Sequence, residues 1–176
     1  MKTYTLILLL LFSSCLIRGQ EWHLQNPMPQ GYSLESVHFP DSLTGYAVGD
    51  FGTIMKTTDG GLTWSSLPGF TEHFFLSVWF TNATTGYVLE AYKTIYKSTN
   101  GGNSWAAIYT EHGNYDYNTI FFIDSVTGFA LGSGIIIKTT DGGSTWSTSL
   151  SGSMANPLNS ICFPDKNTGY AAGGYG

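Results

Sequence analysis

The sequence is short of charge, of cysteine and, above all, of arginine. Charged residues make up 11% of the 176, and the one arginine is Arg18. So little charge beside 15% aromatic residues excludes a disordered chain or a coiled coil, which need many charges and few rings. The two cysteines, Cys15 and Cys162, have none of the close Cys/His spacing that holds zinc. No apolar run approaches the roughly 20 residues of a spanning helix. No window carries an apolar stripe at helical spacing, and the 22 glycines would each penalise a helix interior by about 1 kcal/mol. Phosphate loops, dinucleotide fingerprints and nucleophile elbows are also absent. What remains is a turn-rich all-β composition.

Residues 1–19 have the layout of a secretory signal: Lys2, an apolar run from Leu6 to Phe12, then Ser13, Ser14, Cys15 and a small Gly19. Cleavage after Gly19 is expected, placing the mature chain in the periplasm, on the cell surface or outside the cell. Lipidation at Cys15 is the less favoured reading, because the residues around it match a lipoprotein box poorly. Without residues 1–19, five lysines face twelve acids, a formal charge of −7 with no arginine. That charge excludes nucleic acid and anionic membrane as natural partners, and no transmembrane segment is expected in the mature part. Cys162 then has no partner for an intrachain disulfide, and its apolar run Ser160–Phe163 predicts a buried, inert thiol.

A repeat organises the rest. Thr57-x-Asp59-x-Gly61-x-Thr63-Trp64 recurs as Ser98-x-Asn100-x-Gly102-x-Ser104-Trp105 and Thr139-x-Asp141-x-Gly143-x-Thr145-Trp146, with the tryptophans 41 residues apart. Ahead of each copy runs a second landmark, Phe39 before Gly45-Tyr46, Phe80 before Gly86-Tyr87 and Phe122 before Gly128-Phe129. A fourth, Phe163 before Gly169-Tyr170, follows the last copy. A period of this length built from short β runs means propeller blades of four antiparallel strands. In the first repeat the runs are Leu34–Phe39, Gly45–Val48, Thr53–Thr58 and Thr63–Leu67, here called A to D.

The Asp or Asn of each C–D turn supplies an acceptor for backbone N–H groups of its own turn, and the Thr or Ser before Trp closes the same loop. The Trp offers a flat surface to wedge between blades. One carboxylate per turn falls far short of the six to eight oxygens that calcium takes, so the motif reads as a structural staple.

Landmark spacing also separates two faces. Phe to Gly is always six residues and the Lys before each motif to Trp always eight, so A–B and C–D turns keep one length. Every insertion falls in B–C or D–A loops, which share the opposite end of an up-and-down blade. Trp22 lies 17 residues before Phe39, the spacing found before Phe122 and Phe163. Residues 20–32 are therefore expected to supply a closing outer strand, Glu21–Asn26. Blades are expected at 33–69, 70–110 and 111–151 and an incomplete one at 152–176, giving a β-propeller of about 41-residue repeats in a truncated chain.

These motifs resemble the Asp box of bacterial neuraminidase repeats, and residues 33–176 throughout resemble the photosystem II stability and assembly factor-like β-propellers. The resemblance implies a non-catalytic secreted or envelope scaffold that binds another extracytoplasmic protein or peptide, without a cofactor. The arginine-rich patch of those relatives has no counterpart here. An Asp-box glycoside hydrolase of sialidase type, acting on a glycan, or a sortilin-like peptide receptor is the second reading. The three arginines with which neuraminidases hold a carboxylate are missing from the mature chain.

The candidate ligand face is Phe51, Glu72, His73, Tyr92, Glu111, His112, Tyr115 and Tyr117, all in or beside variable loops. Rings pack flat on a partner while acids and imidazoles orient polar groups. The acids Glu72, Glu90, Glu111 and Asp116 are also the only ones placed to serve a glycosidase. The blander reading is that Thr-Glu-His at 71–73 and again at 110–112 is residual repeat identity. His73, His112, Glu72 and Glu111 are metal-ligand types, but they fall on adjacent blades. His38 reads as a packed or exposed strand residue.

Overall fold

The computed structural model describes residues 31–68, 70–113, 115–151 and 157–174. The expected signal segment and the closing strand at Glu21–Asn26 lie outside these residues. Among the described residues fourteen strands form three four-stranded antiparallel sheets and one hairpin. The first sheet is β1 (Leu34–His38), β2 (Gly45–Gly49), β3 (Ile54–Thr57) and β4 (Ser65–Ser66). The second is β5 (Phe75–Phe80), β6 (Gly86–Glu90), β7 (Thr94–Ser98) and β8 (Ala106–Thr110). The third is β9 (Tyr117–Phe122), β10 (Gly128–Gly132), β11 (Ile135–Thr139) and β12 (Ser147–Ser151), and the hairpin is β13 (Leu158–Asp165) with β14 (Thr168–Gly173). Strands follow chain order within each sheet, as propeller blades do. No helix among the described residues is long and apolar enough to cross a membrane.

The second strand of each full blade is buried along its whole length, whereas β12 at an outer edge is exposed throughout. The apolar cores lie between blades. Tyr46, Val48 and Ile54 of the first pack with Phe75, Val78, Phe80 and Val88 of the second, and Tyr87, Leu89 and Ile95 of the second with Ile120, Phe122 and Ile137 of the third. Each landmark Phe lies over the Gly six residues on: a Cβ at Gly86 would stand 2.4 Å from the Phe80 ring, and one at Gly128 2.5 Å from Phe122. That contact explains the invariant spacing. The free face of the ring takes the Tyr of the preceding blade, Tyr46 on Phe80 at 3.5 Å and Tyr87 on Phe122 at 4.0 Å. Trp105 and Trp146 meet the same rings edge-on at 5.9 and 6.2 Å, so the tryptophan does enter the blade interface.

The Asp-box turns close as expected. In the first, Asp59 accepts from the Thr63 N–H (2.8 Å), the Thr63 hydroxyl (2.6 Å) and the Thr57 hydroxyl (2.7 Å), while Thr57 Oγ1 accepts from the Gly61 N–H (2.9 Å). Asp141 repeats this with Thr145 and Thr139. Asn100 keeps the geometry but reverses one bond, donating from Nδ2 to Ser104 Oγ at 2.8 Å. These bonds delay the start of the fourth strand. Thr63 and Trp64 were expected in it, but Thr63 is spent on Asp59, and β4, β8 and β12 each begin at the residue after the Trp; β4 also stops at Ser66, short of the expected Leu67.

The A–B turns carry their own acceptors, Asp41, Asn82, Asp124 and Asp165, each taking two backbone N–H groups. The two constant turns of a blade then join, Gly60 N–H to Leu43 O at 2.9 Å, Gly101 to Thr84 at 2.8 Å and Gly142 to Val126 at 2.9 Å. Constant turns therefore share one face. The preceding blade reaches that face too: the Tyr87 hydroxyl donates to Gly142 O at 2.9 Å and Lys97 Nζ to the same carbonyl at 2.7 Å.

On the innermost strands, Ser36 and Ser77 accept the N–H groups of Val78 and Ile120 on the next blade, each at 3.2 Å. His38 packs on Trp79 at 4.1 Å, its Nδ1 accepts the Phe80 N–H, and burial pulls its pKa down to about 4. One expectation fails here. Cys162 is exposed, because it occupies the alternate position to Phe163, whose ring packs on Phe129 at 4.8 Å, and within the described residues only two strands form its sheet.

Two outcomes follow. Phe122→Ala removes a buried ring that contacts both Tyr87 and Trp146, and is expected to cost about 3–5 kcal/mol in denaturant unfolding. The Thr63 hydroxyl and N–H, with the Thr57 hydroxyl, hold the Asp59 carboxyl at about 2, and Thr145 and Thr139 do the same for Asp141. A carboxylate depressed on folding stabilises the fold above its unfolded value of about 3.9 and loses that contribution as pH falls through the folded value. Urea unfolding is expected to show a loss of stability between about pH 4 and pH 2. The decline should be shallower in an Asp59→Asn/Asp141→Asn variant, which copies the Asn100 turn.

Candidate functional site

The variable loops gather at the other end of the blades. Asp50 N–H donates to Ser33 O at 3.0 Å, Gly52 to His73 O at 2.6 Å, Ala91 to Phe74 O at 2.8 Å, Glu111 to Lys93 O at 3.0 Å and Ser133 to Asp116 O at 2.8 Å. Each bond ties a B–C loop to a D–A loop. The surface is thus one laced platform and not a set of separate loops.

An exposed aromatic row crosses this platform. Tyr32 contacts Phe51 (4.7 Å between ring centres), Phe51 contacts Phe74 (5.5 Å), and Phe74 contacts Tyr92 (6.3 Å). Tyr32, Phe51 and Tyr92 are 50%, 52% and 64% exposed. Phe51 and Tyr92 fill the same place in successive blades, six residues beyond Gly45 and Gly86; the third B–C loop is shorter and presents Gly134 instead. Phe51, Glu72 and Lys93 have φ of 52°, 66° and 72°, and they are the only non-glycine residues with positive φ among those described. Left-handed backbone at a bulky side chain is strained by about 1–3 kcal/mol, and such strain concentrates at binding loops. Lys93 stands where the first blade has Gly52 at φ 69°.

The other candidates separate into surface and scaffold. Glu72 and His112 are exposed. Glu111 is held from within: it accepts from Tyr109 (2.8 Å), Tyr117 (3.0 Å) and the Gly113 N–H (2.6 Å). Burial raises its pKa, but those bonds, Gly113 first, outweigh this and leave it lowered. Tyr115 is half-buried, its hydroxyl 3.3 Å from Ser151 Oγ. Tyr117 does not belong to the ligand face. It is 1% exposed, because as the first residue of β9 it turns into the core between the second and third blades, and burial followed by Tyr109 pushes its phenol pKa up.

His73 is likewise anchored. Its Nδ1 pairs with Glu90 Oε1, and its ring lies 4.9 Å from Phe70 and 6.0 Å from Tyr96. Glu90 is 3% exposed and also accepts from the Tyr96 hydroxyl at 3.3 Å. This pairing was not read from the sequence, although a signal for it exists. Four residues beyond each landmark Gly the other blades have Gly49, Gly132 and Gly173, and a Cβ at Gly49 would stand 1.9 Å from Ser33 O. Glu90 breaks that pattern. Counted back from Phe80 and Phe122, His73 corresponds to Tyr115 and not to His112, so the two Thr-Glu-His triplets are not equivalent repeat positions. Among the described residues no three of His, Cys, Asp and Glu converge to hold a metal ion.

Removing His73 leaves Glu90 buried with only Tyr96, so His73→Ala is expected to cost about 1–3 kcal/mol. Glu90→Gly restores the residue of the other blades, and the double variant His73→Ala/Glu90→Gly should recover most of that loss in a thermal-unfolding cycle.

The family model described as photosynthesis system II assembly factor YCF48 matches residues 67–159. No curated protein matches. Among solved structures, YCF48 bound to D1 peptide is 26% identical, with a TM-score of 0.62, and the match covers 68% of this chain and 41% of that one. YCF48 from Cyanidioschyzon merolae is 21% identical at a TM-score of 0.68, covering 79% of this chain and 49% of that one. The GH74 enzyme of Niastella koreensis is 21% identical at 0.63, covering 80% and 26%. The chain thus spans less than half the length of these solved proteins.

Proposed function

Since the chain belongs to the photosynthesis system II assembly factor YCF48 family, we propose that it is a non-catalytic, secreted or envelope β-propeller that holds a segment of another protein on its variable face. The observation that carries this reading is the aromatic row of exposed Tyr32, Phe51 and Tyr92 with half-buried Phe74 between them, flanked by the left-handed backbone of Phe51, Glu72 and Lys93. Aromatic rings give contact area at low entropic cost, and strained loops pre-form the surface. A solved YCF48 carries a D1 peptide, which supports a peptide as the kind of ligand.

The GH74 likeness gives a glycoside hydrolase as the second reading, but at that identity it speaks for the fold alone. Catalytic carboxylates need to be free to exchange protons and face a sugar. Glu90 and Glu111, two of the four acids placed for that role, are instead engaged by His73, Tyr96, Tyr109, Tyr117 and Gly113.

The test is co-purification of the tagged full chain from the envelope of its host, beside titration of the retained segment. Tyr92→Ala is expected to weaken binding about tenfold with the melting temperature unchanged, while Asp141→Ala lowers the melting temperature and leaves affinity intact. Turnover of xyloglucan or aryl glycosides by the full chain would overturn the reading. Sequencing of the exported protein should begin at Gln20.

A further inference from the structure

Charge is divided unevenly between the two ends of the blades. Of the acids in the described residues, Asp41, Asp59, Asp124, Asp141 and Asp165 lie in the constant turns, where each accepts hydrogen bonds from its own turn. The other six, Glu35, Asp50, Glu72, Glu90, Glu111 and Asp116, lie at the loop end. The lysines run the other way. Lys56 and Lys97 donate to carbonyls of the next blade's turn, Lys138 lies 5.6 Å over the Phe129 ring beside the third, and Lys166 sits in the β13–β14 turn. Among the described residues only Lys93 is at the loop end, and its Nζ is committed to Gly113 O at 2.9 Å and Asp116 at 3.5 Å. Within the described residues the constant-turn end thus sets four lysines against five acids, and the loop end one lysine against six.

Resting on the peptide-binding reading above, we propose that the segment held by this chain is cationic. It is an extended, lysine- or arginine-bearing stretch laid along Tyr32, Phe51, Phe74 and Tyr92. Its aliphatic stems cover the rings, and its charged heads meet the ring faces and the acids beside them. Glu72 is exposed next to His73, whose carbonyl binds the Phe51 loop, and Asp50 directly precedes Phe51. An ammonium or guanidinium over an aromatic face is attracted by the ring itself, and surrounding carboxylates add long-range steering. A neutral glycan would stack on the same rings but gain nothing from the charge, and an acidic segment would be repelled.

The experiment titrates the full chain with three fluorescent peptides of equal length and aliphatic content, bearing lysine and arginine, glutamine, or glutamate, and with a xyloglucan oligosaccharide. The cationic peptide is expected to bind at least tenfold tighter than the neutral one, and to lose about tenfold on going from 50 mM to 500 mM salt as the charges are screened. Asp50→Asn/Glu72→Gln should weaken the cationic peptide and leave the neutral one unchanged. Asp124→Asn, which removes one charge from the opposite end, should change neither. Equal binding of cationic and neutral peptides, lost in Tyr92→Ala, would overturn the cationic partner and leave peptide binding standing. Binding of the oligosaccharide alone, or of none of the four, would overturn both.

Discussion

The structure depends on one sandwich repeated between blades. A Phe ring lies on the Gly that opens the neighbouring strand of its own blade, the Tyr of the preceding blade covers its other face, and the Asp-box Trp closes its edge. With no disulfide available within the described residues, blade-to-blade cohesion rests on such packing together with the hydrogen bonds that cross between blades. The same Tyr places its hydroxyl on a carbonyl of the next blade's Asp-box turn, so the turn is both the cap of one blade and the acceptor for another. Tyr87 shows the coupling: burial and the charge of Asp141 push its phenol up to about 12.

This arrangement fixes what is free to vary. The A–B and C–D turns bond to each other and receive the neighbour's Tyr and Lys, so a residue inserted there would disturb three contacts at once. The B–C and D–A loops are joined in every blade by backbone bonds that tolerate changes of side chain, and only particular loops add side-chain ties such as His73 to Glu90 and Lys93 to Gly113. Strained residues, exposed rings and unbalanced charge all accumulate on that side, as expected where a rigid scaffold carries its contacts on loops.

The repeat made the fold and its two faces legible. Invariant spacings between Phe and Gly, and between Lys and Trp, reported the buried sandwich and the closed turn directly, because any change of length would break them. The site was legible only in outline. Phe51 and Tyr92 were found because a bulky ring in a variable loop has no core to fill, but Tyr32 and Phe74 complete the row through contacts that no spacing encodes. Tyr117 was misplaced because loop and strand meet at that residue, and a one-residue difference in strand start decides which way a side chain points. Cys162 was misplaced because its position is covered from outside its own sheet: Trp79 and Phe121, its counterparts, are half-buried under a ring of the following blade, and among the described residues no such ring packs on Cys162.

Departures from the repeat carry more information than its matches. Glu90 replaces a glycine required by close backbone approach in the sister blades, and Lys93 takes a left-handed conformation that a glycine holds elsewhere. Glu90 at the end of β6 and Lys93 in the loop that follows it reach in opposite directions, Glu90 to His73 on one D–A loop and Lys93 to Gly113 and Asp116 on the next. One blade thus braces two loops, through a buried acid on one side and a strained cation on the other. Conformational strain and desolvation oppose both choices, and the glycines of the other blades avoid them. Phe74 directly follows His73 and Tyr92 directly precedes Lys93, and Ala91 N–H donates to Phe74 O, so the brace fixes the two loops that bring these rings into contact.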